Sequence, residues 1–419
     1  MAWTTPELNW SGTYTYRTRQ VYRPRTIDEL RRLIEGASGS LHGLGTRHSF
    51  NDIADADGMI SLEALPANVT IDQDAHTVTV PAAMRYGDIA RLLQAAGWAL
   101  SNLPSLPHIS VAGSVATATH GSGNANPSLA SAVTAVSMVT GTGNLVRIDH
   151  NSPEFAGAVV HLGALGVVTD LTLSIEPTFE VRQDVYEHLP WDQLTGSFDD
   201  VMAAGYSVSA ITDFAGDDVD LLWIKSRVDR GPSQMPAELF GARAATEKLH
   251  MTRGNDPTHC TPQLGEPGPW SYRLPHFLLE FTPSSGAEIQ SEYLMDRRYA
   301  SSVIDTLRGL GHAIAPVVRS AEIRTVAADE LWLSPGYQQN VFGVHFTWQP
   351  DTAAVTALVE SIEAVLQPFR PRPHWAKVFG DGHRWSELYP RLADFRRLVE
   401  AYDPRGIFRN AYLLRIIAA

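Results

Sequence analysis

The sequence predicts an α+β protein of two domains, on three observations. At 419 residues the chain is longer than one hydrophobic core ordinarily serves. Runs with the two-residue alternation of strands are interleaved with runs whose apolar residues recur at helical spacing, the pattern of mixed sheet and helix. A break at Pro177, with new strands from Phe179 onward, divides the chain. The expected units are residues 1–178 and 179–370, followed by a tail, 371–419.

Taken in order, Thr26-Ile27-Asp28-Glu29 is a capping box, and Leu30, Leu33 and Ile34 give the helix after it an apolar stripe. Short β-like runs follow at 59–62, 69–71 and 78–80, the last two forming a hairpin across the polar break 72–76. Residues 86–96 read as a helix with Ile89, Leu92, Leu93 and Ala96 on one face and Gly97 as its stop. A second hairpin is expected from 133–139 and 145–148 around Gly141-Thr142-Gly143-Asn144. After it come a short helix at 155–162 and a half-buried strand at 167–175. In the second unit, the polar, Pro- and Gly-rich stretch 230–269 reads as a long surface insertion. Helices are expected at 292–309, 353–366 and 389–402.

Composition excludes several function classes. A net charge of -13 disfavours nucleic acid, whose phosphates need clustered Lys and Arg. The lone Cys260 rules out an internal disulfide and any cysteine-based metal cluster, and reads as a small buried hydrophobe. No apolar run approaches the roughly 20 residues that cross a bilayer. Met1-Ala2-Trp3-Thr4-Thr5-Pro6 lacks the basic and apolar regions of a secretion signal. A cytoplasmic monomer, without membrane or nucleic-acid partners, is the expectation.

Chemistry is suggested first by Leu41-His42-Gly43-Leu44-Gly45-Thr46-Arg47-His48-Ser49-Phe50-Asn51. Its glycines let backbone N–H groups approach a phosphate, as in the dinucleotide fingerprint G-x-G-x-x-G. His48 stands where the third glycine belongs, which breaks an ordinary Rossmann reading and points instead to a histidine bonded to a cofactor. The run 105–123 is built largely of small and hydroxylated residues, suited to backbone packed against a flat ligand. Its bland alternative, a flexible linker, is opposed by Pro107, His108, Val111 and Val115.

Later, Glu322 and Arg324 lie two apart in a strand-like run, as do His345 and Thr347, so each pair shares one face. Such strands could form the polar wall of a pocket. Lys377 follows in Pro373-His374-Trp375-Ala376-Lys377-Val378-Phe379. Plainer readings are a surface ion pair for Glu322 with Arg324, solvent exposure for His345 and Thr347, and a lysine lying over Trp375.

Taken together these residues resemble the vanillyl-alcohol-oxidase type of FAD flavoproteins, and within it the branch that oxidises alditols such as xylitol and sorbitol. The matching stretches are 45–51, 105–117, 119–123, 162–169, 322–329, 345–348 and 373–377, spread over nearly the whole chain. The resemblance implies a PCMH-type FAD-binding domain at 1–178, a substrate (cap) domain of mixed sheet and helix at 179–370, and a C-terminal segment returning to the first. It implies that His48 is bonded to the 8α-methyl of FAD. Gly43, Leu44, Gly45, Thr46, Arg47 and Ser49 would cradle the pyrophosphate. Ser105, Ser110, Gly113, Thr117, Ala118, Thr119, His120, Val168 and His374 would line the rest of the cofactor.

For catalysis, the resemblance implies hydride transfer from the terminal carbon of a polyol to flavin N5 and reduction of O2 to hydrogen peroxide. Arg324 would hold the reacting oxygen, Lys377 the charge gathering on the ring, and Ser105, Glu322 and Thr347 the other hydroxyls. His345 is a candidate proton acceptor. Pro104 sits where the wider family gates oxygen. Arg47 replaces a glycine common in the aldonolactone branch, so a left-handed backbone is not expected there. The competing readings are an aldonolactone oxidase or dehydrogenase, a non-catalytic polyol-binding protein, a serine hydrolase at Gly121-Ser122-Gly123, and a metal-dependent hydrolase using His42, His48, His108 and His120. For the last, no H-E-x-x-H is present, and no resident metal is expected.

Overall fold

Helix Ile27–Glu35 begins as its sequence requires, with the Thr26 hydroxyl accepting from Glu29 N and the Glu29 carboxylate accepting from Arg25 N, one residue before the cap. It is one of the elements that enclose the N-terminal core in a computed structural model describing residues 3–4, 8–232, 234–281 and 287–418. The reading of the N-terminus, Met1 to Pro6, falls mostly outside the described residues.

Two larger sheets build this half, beside a two-stranded pairing of Trp98–Ala99 with Glu176–Pro177. One pairs Gln20–Tyr22 and Leu41–Gly43 in parallel with Gly58–Ile60 between them. The other is antiparallel, in the order Thr70–Asp72, Thr77–Pro81, Gly166–Ser174, Val133–Thr140, Leu145–Asp149. Both expected hairpins are present. Gly143 turns the second at φ +80°, and Gly97 follows helix Tyr86–Ala95 at φ +81°, a conformation glycine adopts without cost. The helix expected at 155–162 is shorter, Phe155–Ala158, and the chain turns at positive φ at Leu162 and Gly163.

A ten-stranded antiparallel sheet forms the other half. Its centre runs Glu180–Pro190, Asp218–Arg227, Ser207–Thr212, Val318–Val326, Val341–Trp348, Ile289–Asp296, with Arg372–Pro373 at the edge. Helices Ala300–Gly309 and Thr352–Leu366 cover one face, burying Val303, Ile304, Leu307, Val355, Val359 and Ile362 against Ala321, Ile323, Val344 and Phe346. The opposite face carries polar residues and looks toward the first half. Residues Trp270, Leu331–Leu333 and Trp375–Ile416 contribute to the N-terminal core.

Two expectations require correction. Residues 292–309 are not one helix: Ile289–Asp296 is a central strand, its Tyr293 and Met295 packing toward the helices and its Gln290 and Glu292 pointing away. Helical spacing there is an accident of a strand followed by a helix. The stretch 230–269 is not merely a surface insertion. It contributes Glu238–Leu239, Ala242–Ala244 and Gly268–Pro269 to the sheet, and His250, Met251, Thr252 and Asn255 to the walls of the cleft.

Candidate active site and cofactor cleft

The chain leaves strand Leu41–Gly43 into a loop that runs along one long cleft between the two halves. Gly45 has no room for a side chain, since a Cβ would run into Ser110 Oγ. Thr46 Oγ1 accepts from Ser110 N at 3.1 Å and lies 3.0 Å from His48 Nδ1, so the loop and the start of helix Val111–Ala116 are fastened together. The run 105–123 is therefore an ordered wall containing a helix, and the linker alternative fails.

Arg47 departs from expectation: it adopts φ +62°, the left-handed conformation that L side chains avoid. The turn is over-determined by its surroundings. Arg47 O accepts from Trp10 N at 2.8 Å, and the Trp10 ring stacks on His48 with centroids 4.8 Å apart and planes 24° apart. His48 is held with its Nε2 buried and unpartnered, and burial pushes its pKa down to about 3. The imidazole is neutral, the form that can act as a nucleophile. A loop that admits only glycine at position 45 and a buried imidazole with an orphaned nitrogen fit a bound flavin.

Two residues beyond His48, this loop meets the tail. Phe50 N donates to Ala376 O at 2.8 Å, and Asn51 Nδ2 donates to the carbonyls of Trp375 and Lys377, each at 2.8 Å. Lys377 thereby enters the cleft from the same backbone that pins the loop.

Opposite stands the polar face of the large sheet. Glu322 is the register partner of His345, and His345 of Glu292, so three neighbouring strands place their polar positions side by side. Arg324 is paired with Gly343, whose missing side chain leaves space beside Glu292 Oε1. Arg324 Nη2 donates to Glu292 Oε1 at 2.8 Å and Nη1 to Ser105 Oγ at 3.2 Å, while its Nε lies 3.5 Å from Glu322 Oε2. Lys377 Nζ reaches Glu292 Oε2 and His345 Nδ1, both at 2.5 Å, and His345 Nε2 lies 3.1 Å from Thr347 Oγ1. His120 Nε2 stands 3.2 Å from Glu292 Oε1, and His374 Nε2 is 3.4 Å from Thr119 Oγ1.

Burial disfavours charge throughout this wall, and the partners decide which charges survive. Desolvation works against both carboxylates. Lys377, His120 and Arg324 nonetheless hold Glu292, and Arg324 and His276 hold Glu322, well below the usual carboxylate range. Burial lowers Lys377 from its ordinary value, opposed by Glu292. Burial and then the Lys377 charge push His345 down to about 4 and His374 well below the usual histidine range.

Of the residues singled out in the sequence, Gly43 to Ser49, Ser105, Ser110, Gly113, Thr117, Thr119, His120, Val168, Glu322, Arg324, His345, Thr347, His374 and Lys377 line this one cleft. Ala118 does not. It is buried at φ +52° and turns the chain after the helix. The solvent-exposed and snorkelling alternatives fail, since Glu322, Arg324 and His345 are buried and Lys377 is ion-paired. His42 and His108 bond to backbone carbonyls instead of converging with His48 and His120, and among the described residues no three His, Cys, Asp or Glu side chains could hold a metal ion.

Sequence reasoning missed Glu292, His276 and Lys225. Glu292 carries the same signal as the other two strands, polar residues at 290 and 292 alternating with apolar ones at 289, 293 and 295. His276 and Lys225 carry none.

Comparison with known proteins agrees with this geometry. Residues 18–149 match the FAD binding domain family, and residues 287–416 match the D-arabinono-1,4-lactone oxidase family. An alditol oxidase from Streptomyces is 47% identical over 98% of this chain and 98% of its own. The chain belongs to the alditol oxidase family. It is a two-domain α+β flavoprotein of the vanillyl-alcohol-oxidase type, with an FAD-binding domain. More distant members of the wider group include an L-gulonolactone oxidase from Scyliorhinus torazame, 24% identical over 97% of this chain and 96% of its own. An L-gulono-1,4-lactone dehydrogenase from Mycobacterium tuberculosis is 25% identical over 98% of both. In fold, the chain resembles a cholesterol oxidase of B. sterolicum, with TM-score 0.79 at 15% identity over 100% of this chain and 97% of that one.

Proposed function

We propose that this protein oxidises the terminal primary alcohol of an alditol such as xylitol or sorbitol to the aldose, with O2 as the electron acceptor. The observation that carries this reading is the wall of buried Glu322 and Arg324 with half-buried Ser105 and Thr347, a set of hydroxyl-binding groups lining the cleft beside Lys377. FAD, when bound, supplies the acceptor for the hydride leaving the terminal carbon and passes both electrons to O2, giving hydrogen peroxide.

The protein's own groups divide the remaining work. Arg324 is locked at both ends by Glu292 and Ser105, so its cationic fork faces the reacting oxygen without having to reorganise. Favouring alkoxide character at that oxygen raises the carbon's hydridic character. Ser105 accepts from Arg324 and Thr347 accepts from His345, which leaves both hydroxyl hydrogens free to donate to substrate. Glu322 accepts from a substrate hydroxyl. A polyol lacking one of these hydroxyls would leave a buried polar group unpaired, a large source of discrimination.

His345 is better assigned as an orienting group than as a base. Its Nδ1 accepts from the Lys377 ammonium, its proton then sits on Nε2 toward Thr347, and burial holds it far from protonation. Lys377 shares its protons between Glu292 and His345 and offers positive charge along the cleft.

His48 is proposed as the point of covalent attachment, supported by its neutral buried imidazole. Residues 1–178 are proposed as the FAD-binding unit, 179–370 as the substrate unit, and 371–419 as the segment that delivers Lys377. Among the described residues no helix is long and apolar enough to cross a membrane, and a cytoplasmic monomer completes the proposal.

Anaerobic mixing with a panel of alditols and aldonolactones tests the function. Bleaching of the flavin by xylitol or sorbitol and not by a lactone is expected. Bleaching by lactones alone would transfer the assignment to the aldonolactone branch.

A further inference from the structure

Behind Glu322, away from the cleft, lies a buried lysine that the proposed reaction does not use. Lys225, on strand Asp218–Arg227, is 1% exposed. Its Nζ reaches two carbonyls, Leu274 O at 2.6 Å and Pro275 O at 2.7 Å, and lies 3.2 Å from His276 Nδ1. His276 Nε2 faces the Glu322 carboxylate at 2.8 Å, and a carboxylate oxygen only accepts, so the ring carries a proton on Nε2. In a neutral ring Nδ1 is then the acceptor, and with the two carbonyls it takes the three protons of an ammonium. The edge of the Trp223 indole packs against this ring, with centroids 5.1 Å apart and planes at 72°. The same short segment also grips the other side of the site, since His276 N and Phe277 N both donate to Ser105 O, at 2.9 and 3.3 Å.

We infer that Lys225 and His276 are positioning residues for substrate recognition: they hold Glu322 ionised and oriented to accept a polyol hydroxyl, while the backbone at 276–277 sets Ser105 as its partner. This rests on the proposed alditol oxidation. The ammonium donates to the neutral imidazole, the imidazole donates to one carboxylate oxygen, and the other oxygen is left for Arg324 and substrate. A buried cation with no carboxylate of its own is costly, and the relay through His276 to Glu322 supplies its counter-charge. Burial drives Lys225 down to about 7 and His276 below its usual range, opposed in each by Glu322, so the ring is neutral and the lysine's charge depends on that carboxylate.

The test compares wild type with Lys225→Met, His276→Ala and His276→Gln. Gln can still donate to Glu322 and is the conservative variant. Lys225→Met is expected to raise KM for xylitol by at least roughly tenfold. Its discrimination against deoxy analogues should shrink, while bound flavin and its visible spectrum are retained. His276→Gln is expected to recover part of the xylitol KM that His276→Ala loses. Unchanged KM and unchanged discrimination in a folded, flavin-loaded Lys225→Met would overturn the inference. Should the variants not fold, neutron diffraction of the wild-type crystal decides: three deuterons on Lys225 Nζ and one on His276 Nε2 are expected, and a deuteron on Nδ1 would refute the relay. Wild type inactive on every alditol would overturn the functional reading itself, an outcome distinct from wild type active and Lys225→Met unchanged.

Discussion

Lys377 Nζ stands 2.5 Å from Glu292 Oε2, while the other oxygen of the same carboxylate takes Arg324 Nη2 at 2.8 Å. One buried acid thus serves two cations that arrive from different parts of the chain. Removing it leaves Lys377 without a carboxylate and Arg324 with Glu322 alone in a low-dielectric wall, and breaking a buried pair typically costs about 3–5 kcal/mol. Glu292→Gln is expected to lower thermal stability and nearly abolish turnover, as read by calorimetry and peroxide release. In a double-mutant cycle, Lys377→Met added to Glu292→Gln should cost less stability than it does alone. Additive losses would show that the pair is not coupled.

Acid-precipitated wild-type protein should remain yellow, because a covalent flavin survives denaturation. His48→Ala should release its flavin to the supernatant or purify largely without it. Colour lost entirely from precipitated wild type would exclude attachment at His48.

Arg324→Ala should slow flavin reduction by polyol by roughly 10²–10³-fold, the usual effect of losing one preorganised donor to developing negative charge. Stopped-flow absorbance under anaerobic conditions measures it directly. A reduction rate equal to wild type would remove Arg324 from the chemical step.

Acid should destabilise the fold before carboxylates titrate. His48, His161 and His345 are buried neutral, with folded values of about 3, 4 and 4 against an ordinary 6.5. A depressed folded value means that the unfolded chain takes up protons first. The stability these groups contribute is complete above pH 6.5 and is lost as pH falls toward 4 and 3, at about 1.4 kcal/mol per unit for each group. Glu292 and Glu322, held below their ordinary value, add to the loss from pH 4.5 downward. Apoprotein melting temperatures should therefore decline steadily from pH 7 to pH 4. A flat profile would mean that these imidazoles are not buried neutral.

Arg47 holds a left-handed backbone at φ +62°, costly for any residue with a Cβ and worst for a β-branched one. Arg47→Gly should leave stability unchanged or raise it by up to about 1 kcal/mol, whereas Arg47→Val should lower it. Chemical denaturation of both variants checks the sign. A destabilised Arg47→Gly would show that the arginine side chain outweighs the strain.

The parts of the fold legible in the sequence were those with local causes. The capping box at Thr26, the glycine stop at Gly97 and the hairpin at Gly143 each rest on a few adjacent residues. Glu322, Arg324, His345 and Thr347 were legible because alternation alone places them on one face. Glu292 was hidden because its strand abuts a helix and the joined pattern imitates helical spacing. Arg47 was misread because a loop's φ depends on what grips it, here Trp10, far from it in sequence. Lys225 and His276 give no local signal, since a lysine on a strand reads as solvent-exposed until tertiary packing closes over it.

The fastening of Asn51 to the carbonyls of Trp375 and Lys377 spans 324 and 326 residues of chain. A growing polypeptide has made its loop around His48 long before the lysine it works beside has been synthesised. No fragment that stops short of Lys377 can complete the cleft, so synthesis through that residue precedes a competent site. Loss of residues 371–418 would remove both the cation and the side chains this segment adds to the N-terminal core, and loading of flavin becomes a readout of whether the segment is in place.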